Sequence, residues 1–203
     1  MSAPGKHAPS GDLRIHYQDT GSGRPVVVLN GWSASGLIWP DEWVDDLAKD
    51  HRLLRICNRG TGWSDPVEQP FTVSDMVADA IAVLDAEGIE RTHVFGLSMG
   101  GMIAQQLAIE RPTSLDVIML QLQAITTRSG SLAQIAAPTL IFHGDDDPLL
   151  PVANGRRLAE LIPNNRYVEL PGVGHLVPWE EPERAAKEMR EFLAASEVRS
   201  TTP

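Results

Sequence analysis

Gly96-Leu97-Ser98-Met99-Gly100 is the stretch on which the reading of this chain turns. It has the form Gly-x-Ser-x-Gly, and its flanks matter as much as its centre. Thr92-His93-Val94-Phe95 ahead of it is a short β-branched and aromatic run, the composition of a buried strand. Residues 101–108 behind it read as a helix, closed by Arg111-Pro112. A serine on such a strand-to-helix turn sits in a strained backbone conformation, with its hydroxyl held above the sheet edge. Gly96 and Gly100 remove side chains where the two backbones crowd together. The helix start points free N–H groups at negative charge forming beside the serine. This context suits a nucleophile elbow.

Outward from this turn, strands and helices alternate. Residues 13–18 alternate as a strand, and 19–23 read as a turn. Residues 25–29 are continuously apolar, the mark of a strand covered on both faces. Residues 41–49 read as a helix and 52–56 as the next strand. Residues 72–87 form an amphipathic helix: Val73, Met76, Val77, Ala80, Ile81 and Leu84 recur at helical spacing, with Thr72 or Ser74 as its cap. Residues 116–120, 138–142 and 166–170 read as further strands, and 152–162 and 181–194 as helices. Such alternation predicts a mostly parallel sheet with helices on both faces. A length of 203 residues suits a single domain over 1–203, with loose ends at about 1–9 and 198–203.

Net charge is −10 and the isoelectric point about 5.0, which argues against nucleic acid or an anionic membrane as partner. No run approaches a membrane span, and the first residues lack the apolar core of a secretion signal. Cys57 is the only cysteine, so no intrachain disulfide can form. That fits a cytoplasmic location. Cys57 ends an apolar run and reads as a small buried residue.

Catalytic groups in parallel sheets gather where strands end. Ser98 follows one strand. His143-Gly144-Asp145-Asp146-Asp147-Pro148 follows the next to last, and Pro171-Gly172-Val173-Gly174-His175 follows the last. A serine becomes nucleophilic when a base takes its proton. His175 is the candidate base, and one of the three aspartates would orient it. The chain order is Ser, Asp, His. His143 reads as a supporting or structural residue. His143, Asp145, Asp147 and His175 could be imagined around a metal, but neither H-x-x-x-H nor paired-cysteine spacing supports that, and no metal or cofactor is expected. The Gly21-x-Gly23 turn precedes a strand, so it is not a dinucleotide loop.

With Val26-Val27-Val28-Leu29-Asn30-Gly31-Trp32, Asn58-Arg59-Gly60-Thr61-Gly62-Trp63-Ser64 and Pro138 through Asp147 added to the elbow and the His175 segment, nearly the whole chain resembles the α/β-hydrolase superfamily. Its flavour is closest to the esterase, enol-lactonase and perhydrolase-like group. The resemblance implies the α/β-hydrolase fold and a serine hydrolase cleaving small-molecule carboxylic esters through an acyl-enzyme. It assigns the acid to Asp147 and the oxyanion hole to the backbone N–H groups of Trp32 and Met99. Asn30 stands where the family commonly has histidine, and Ser33 where perhydrolase-like members often have proline. Serine at the nucleophile position sets the chain apart from resembling dehalogenases and epoxide hydrolases, which use aspartate. Asn30, Ile38, Trp39 and Trp179 are candidates for lining the substrate pocket.

Most superfamily members insert a helical cap between the sixth strand and the helix before the seventh. Here 17 residues separate Leu120 from Pro138, and a parallel crossover alone uses a dozen or more. The expectation is a capless, open cleft. Residues 121–127 would be a cap remnant or the crossover helix, and the chain a monomer or a homodimer closed over the cleft. The same triad would also serve acyl transfer to peroxide or alcohol, or lactone cleavage. A ligand-binding protein with vestigial chemistry is the alternative outside catalysis.

Overall fold

The computed structural model of the chain describes residues 5–121 and 129–200. Eight strands form one sheet: β1 (Lys6–Ser10), β2 (Leu13–Gly21), β3 (Arg24–Leu29), β4 (His51–Ile56), β5 (Thr92–Leu97), β6 (Leu115–Gln121), β7 (Thr139–Gly144) and β8 (Asn165–Leu170). Their order is β1-β2-β4-β3-β5-β6-β7-β8. The β1–β2 and β2–β4 pairings are antiparallel, and all others are parallel. The helices are α1 (Asp41–Leu47), α2 (Val73–Ala86), α3 (Met99–Glu110), α4 (Ser129–Leu132), α5 (Ala153–Leu161), α6 (Val177–Glu180) and α7 (Pro182–Ser200).

The continuous apolar strands are explained by two cores. Along β3, Val27 and Leu29 face one core while Val26 and Val28 face the other. The first core takes its helical contribution from α2, α3 and α5, through residues such as Val77, Ile103 and Leu158. The second takes Trp43 and Leu47 from α1 and Met189 and Leu193 from α7. Successive side chains point to opposite faces, so a strand covered on both must be apolar throughout. Thr72 caps α2 in a reciprocal box with Asp75: its hydroxyl accepts from the Asp75 N–H at 3.3 Å, and Asp75 accepts from the Thr72 N–H at 2.7 Å.

Some boundaries differ from the sequence reading. Residues 6–9 are not a loose end: they belong to β1, which pairs with β2 from Lys6↔Tyr17 to Ser10↔Leu13 and buries Ala8. His7-Ala8-Pro9 has little strand propensity, and the ladder offered by β2 supplies what the residues lack. Pro9 is tolerated because β1 is an edge. Residues 19–21 extend β2 rather than turning, held by pairing to β4 as far as Gly21↔Arg52. At the other end α7 carries helix through residue 200, past the expected fraying point. Glu197 in its last turns lies 3.5 Å from the Arg24 guanidinium and 3.4 Å from His93 Nε2. The segment read as a cap remnant or crossover helix falls on residues 122–128, outside the described residues, while Gln121 ends β6.

The sheet order reverses between β3 and β5. The chain leaves β3 for β4 on one side, then returns to build β5 to β8 on the other. A crevice forms at such a reversal, beyond the carboxyl ends of the strands. Trp32 follows β3 and Ser98 follows β5, so both candidate residues stand at that point.

Candidate active site

Ser98 sits between β5 and α3 with φ 52° and ψ −117°. Positive φ is costly for a residue with a Cβ, by about 1–3 kcal/mol, and persists only where the surroundings enforce it. Here they do. A Cβ on Gly96 would overlap the backbone of Gly100 and Gly101, and one on Gly100 would overlap the Leu29 carbonyl. The Ser98 N–H donates to the Gln121 carbonyl at 2.9 Å, tying the turn to β6. Met99 opens α3, and its backbone N–H is one of the groups a helix start leaves without an intrahelical partner.

Asp147 and His175 are brought together by the loops after β7 and β8. His175 Nδ1 lies 3.1 Å from Asp147 Oδ2 and 3.3 Å from Oδ1. The Asp147 side chain has no exposed surface, and its Oδ1 also accepts the N–H groups of Leu149 and Leu150 at 2.7 and 3.0 Å. Asp145 turns elsewhere and accepts the Gly172 N–H at 2.7 Å; Asp146 is exposed. Of the three adjacent carboxylates, Asp147 is the one bonded to the imidazole.

Residues to which the sequence reading gave no role in the site steady this arrangement. Glu180 accepts the Gly174 N–H at 2.7 Å and the Leu176 N–H at 2.9 Å, one on each side of His175. Gln121 Nε2 donates to the His175 carbonyl at 2.6 Å. Asn58 Nδ2 donates to the Gly31 carbonyl at 3.3 Å, in the loop that presents Trp32. A Glu five residues beyond a histidine carries no readable pattern. Only the short helix α6 folds it back.

Two expected pocket residues lie beneath the cleft instead of on it. Asn30 is fully buried: its side-chain amide donates to the Ile56 carbonyl and accepts from Trp39 Nε1 at 2.6 Å. Trp39 is buried between Trp43 and Trp179, with ring centroids at 4.9 and 5.0 Å. A buried amide needs partners for both ends, and these two residues satisfy each other and the backbone. Ile38 and Trp179 do line the cleft, with Ser98, His175, Trp32 and Met99. So do Phe71, Met102, Leu149 and Leu176, which the sequence did not single out. The cleft measures about 1250 Å³.

The remaining candidates have structural partners. His143 is fully buried, with Nε2 3.1 Å from the Leu150 carbonyl, and burial lowers its pKa. Cys57 is buried beside His16 Nδ1 at 3.2 Å, and burial pushes its thiol pKa up, away from a nucleophile's. Side chains able to ligate a metal do gather at the opposite end of the sheet, in His51, His93 and Glu197. The Arg24 guanidinium, 3.5 Å from Glu197 Oε1, already supplies positive charge there. Among the described residues no helix is long and apolar enough to cross a membrane.

The family model for the alpha/beta hydrolase fold matches residues 24–129 and 119–182, and this chain belongs to that family. A putative non-heme bromoperoxidase, BpoC of Mycobacterium tuberculosis, is 26% identical over 259 residues, covering 90% of this chain and 98% of its own. A rhodomycin D methylesterase, DnrP of Streptomyces peucetius, is 35% identical over 48% of this chain and 34% of its own. The solved esterase RhEst1 of a Rhodococcus species superposes with TM-score 0.88 at 23% identity, covering 95% of this chain and 99% of its own.

Proposed function

We propose that this chain is a serine hydrolase that cleaves carboxylic esters through an acyl-enzyme. Ser98 Oγ attacks the ester carbonyl while His175 Nε2 takes its proton. Asp147 holds the other ring nitrogen, keeps its proton on Nδ1 and stabilises the imidazolium. The oxyanion is received by the backbone N–H groups of Trp32 and Met99. His175 then returns the proton to the departing alcohol, and water, activated by the same histidine, releases the acid. The observation that carries this reading is the buried Asp147 carboxylate on His175 Nδ1, in the cleft where Ser98 is held at positive φ.

We read this cleft as uncapped. The two segments matched by the family model meet and overlap at 119–129, from the last residues of β6 to the start of α4. The alignment to BpoC runs over 259 residues, more than the 203 of this chain, so that relative carries residues inside the matched stretch that this chain lacks. Transfer of the acyl group to hydrogen peroxide would start from the same acyl-enzyme, and a relative named a bromoperoxidase is the observation in its favour.

A fluorophosphonate probe tests the nucleophile. The expected result is stoichiometric labelling on Ser98, located by mass spectrometry, and hydrolysis of p-nitrophenyl butyrate. Ser98→Ala should lose labelling and about 10⁴-fold or more of the rate. Labelling retained in that variant would overturn the assignment. Peroxide-dependent halide oxidation exceeding ester hydrolysis would favour the peroxide reading.

A further inference from the structure

The cleft has a property that ester cleavage itself does not require. Among its described lining residues only Glu68 and His175 are ionisable, and neither lysine nor arginine is present. Its walls are large and apolar, with Trp32, Phe71, Met102, Leu149, Leu176 and Trp179 foremost. At about 1250 Å³ it exceeds the usual 300–1,000 Å³ of a small-molecule site. Trp32 and Leu149 keep 81% and 67% of their surface exposed, so much apolar area waits for an apolar occupant. The guanidinium of Arg59, in the loop after β4, lies 5.8 Å from the Phe71 ring centroid, and its charge is matched by Asp79 at 2.7 and 2.8 Å.

We infer that the cleft selects esters whose acyl and alcohol parts are both uncharged and apolar, and rejects those bearing a free carboxylate. This rests on the ester-hydrolase reading above. A carboxylate entering among these side chains would shed water without gaining a counter-ion from the described lining, which is among the most costly transfers in a protein. Glu68 on the rim adds like-charge repulsion. The imidazolium formed on His175 is matched by Asp147 and leaves no net cation for the substrate. A neutral chain of the same length meets none of these costs and covers exposed apolar surface.

Three p-nitrophenyl esters of one chain length separate charge from size: hexanoate, the monoester of adipate, and its neutral methyl ester. The expected kcat/KM for hexanoate exceeds that for the adipate monoester at least 100-fold, and the methyl ester recovers most of the loss. Glu68→Lys should narrow the gap severalfold. An adipate monoester cleaved within tenfold of hexanoate overturns the selectivity, while Ser98 labelling keeps the hydrolase reading. Binding to Ser98→Ala, followed by quenching of Trp32 and Trp179, supplies a readout without turnover. Wild-type protein that resists labelling, together with a variant that binds the hexanoate and not the adipate ester, overturns the hydrolase reading and leaves the selectivity standing. Wild-type protein that resists labelling, with a variant that binds neither ester, overturns both.

Discussion

The two ends of the sheet are built from the same parallel strands and treat charge in opposite ways. At the amino end Arg24, Arg91, Asp116 and Glu197 form ion pairs, with Arg91 Nε 2.7 Å from Asp116 and Arg24 3.5 Å from both Asp116 and Glu197. His51 and His93 are buried beside them. At the carboxyl end the Asp147–His175 pair stands at an apolar cleft. At the amino end each charge finds an opposite partner, and the arrangement closes the fold. At the carboxyl end the backbone is strained at Ser98, apolar side chains are exposed and the imidazole Nδ1 rests on Asp147. On the proposed function, stability is spent at the end that receives substrate, a division that local strain at a functional site leads one to expect.

The largest effect that sharpens this contrast falls on the acid. Asp147→Asn should lower kcat by about 10³–10⁴-fold, because the amide presents the wrong partner to the histidine tautomer. Asp145→Asn and Asp146→Asn should stay within a few fold in the same p-nitrophenyl butyrate assay. A crippled Asp145 variant would move the acid by two residues.

Next comes the cost of the elbow. Gly100→Ala places a methyl group into the Leu29 carbonyl and should reduce stability by about 1–3 kcal/mol in urea melts. Unchanged stability would mean that the crowding between β3 and α3 relaxes freely.

Glu180→Ala removes the acceptor shared by Gly174 and Leu176 and should cost about tenfold in kcat, with KM and melting temperature little changed. Glu180→Gln, which keeps one oxygen, should recover part of the rate. A shift in melting temperature with kcat intact would reduce Glu180 to a structural role.

The smallest effect belongs to the amino end. Burial lowers the pKa of His93 well below the ordinary value, and those of His16, His51 and His143 move the same way. The unfolded chain therefore binds protons that the folded chain refuses. Stability is fully present above about pH 6.5 and falls as pH drops below it, at up to about 1.4 kcal/mol per pH unit for each such group. His93→Gln should flatten the acid limb of the stability curve measured between pH 7 and 5. An unaltered slope would show that His93 titrates normally in the fold.

Much of this site was legible in the sequence for a particular reason. Strand ends are marked by where apolar runs stop, so Ser98, the aspartate loop and His175 could each be placed after a strand. Asn30 and Trp39 misled because proximity to the loop bearing Trp32 says nothing about depth. Their mutual hydrogen bond puts them beneath the cleft floor. β1 was missed because its residues carry no strand signal of their own and take their conformation from β2.

Periodicity, turn chemistry and the order of the motifs are properties of short segments, and the sequence by itself determined them: alternating strands and helices, a serine in a tight turn, and an aspartate run and a histidine on later loops. Which of three neighbouring carboxylates meets His175, and that the cleft's described lining has neither lysine nor arginine, are relations between segments distant along the chain. Those were decided only by tertiary packing, because hydrogen bonds and dielectric environment depend on what lies across a few ångströms of space, and not on what lies next along the chain.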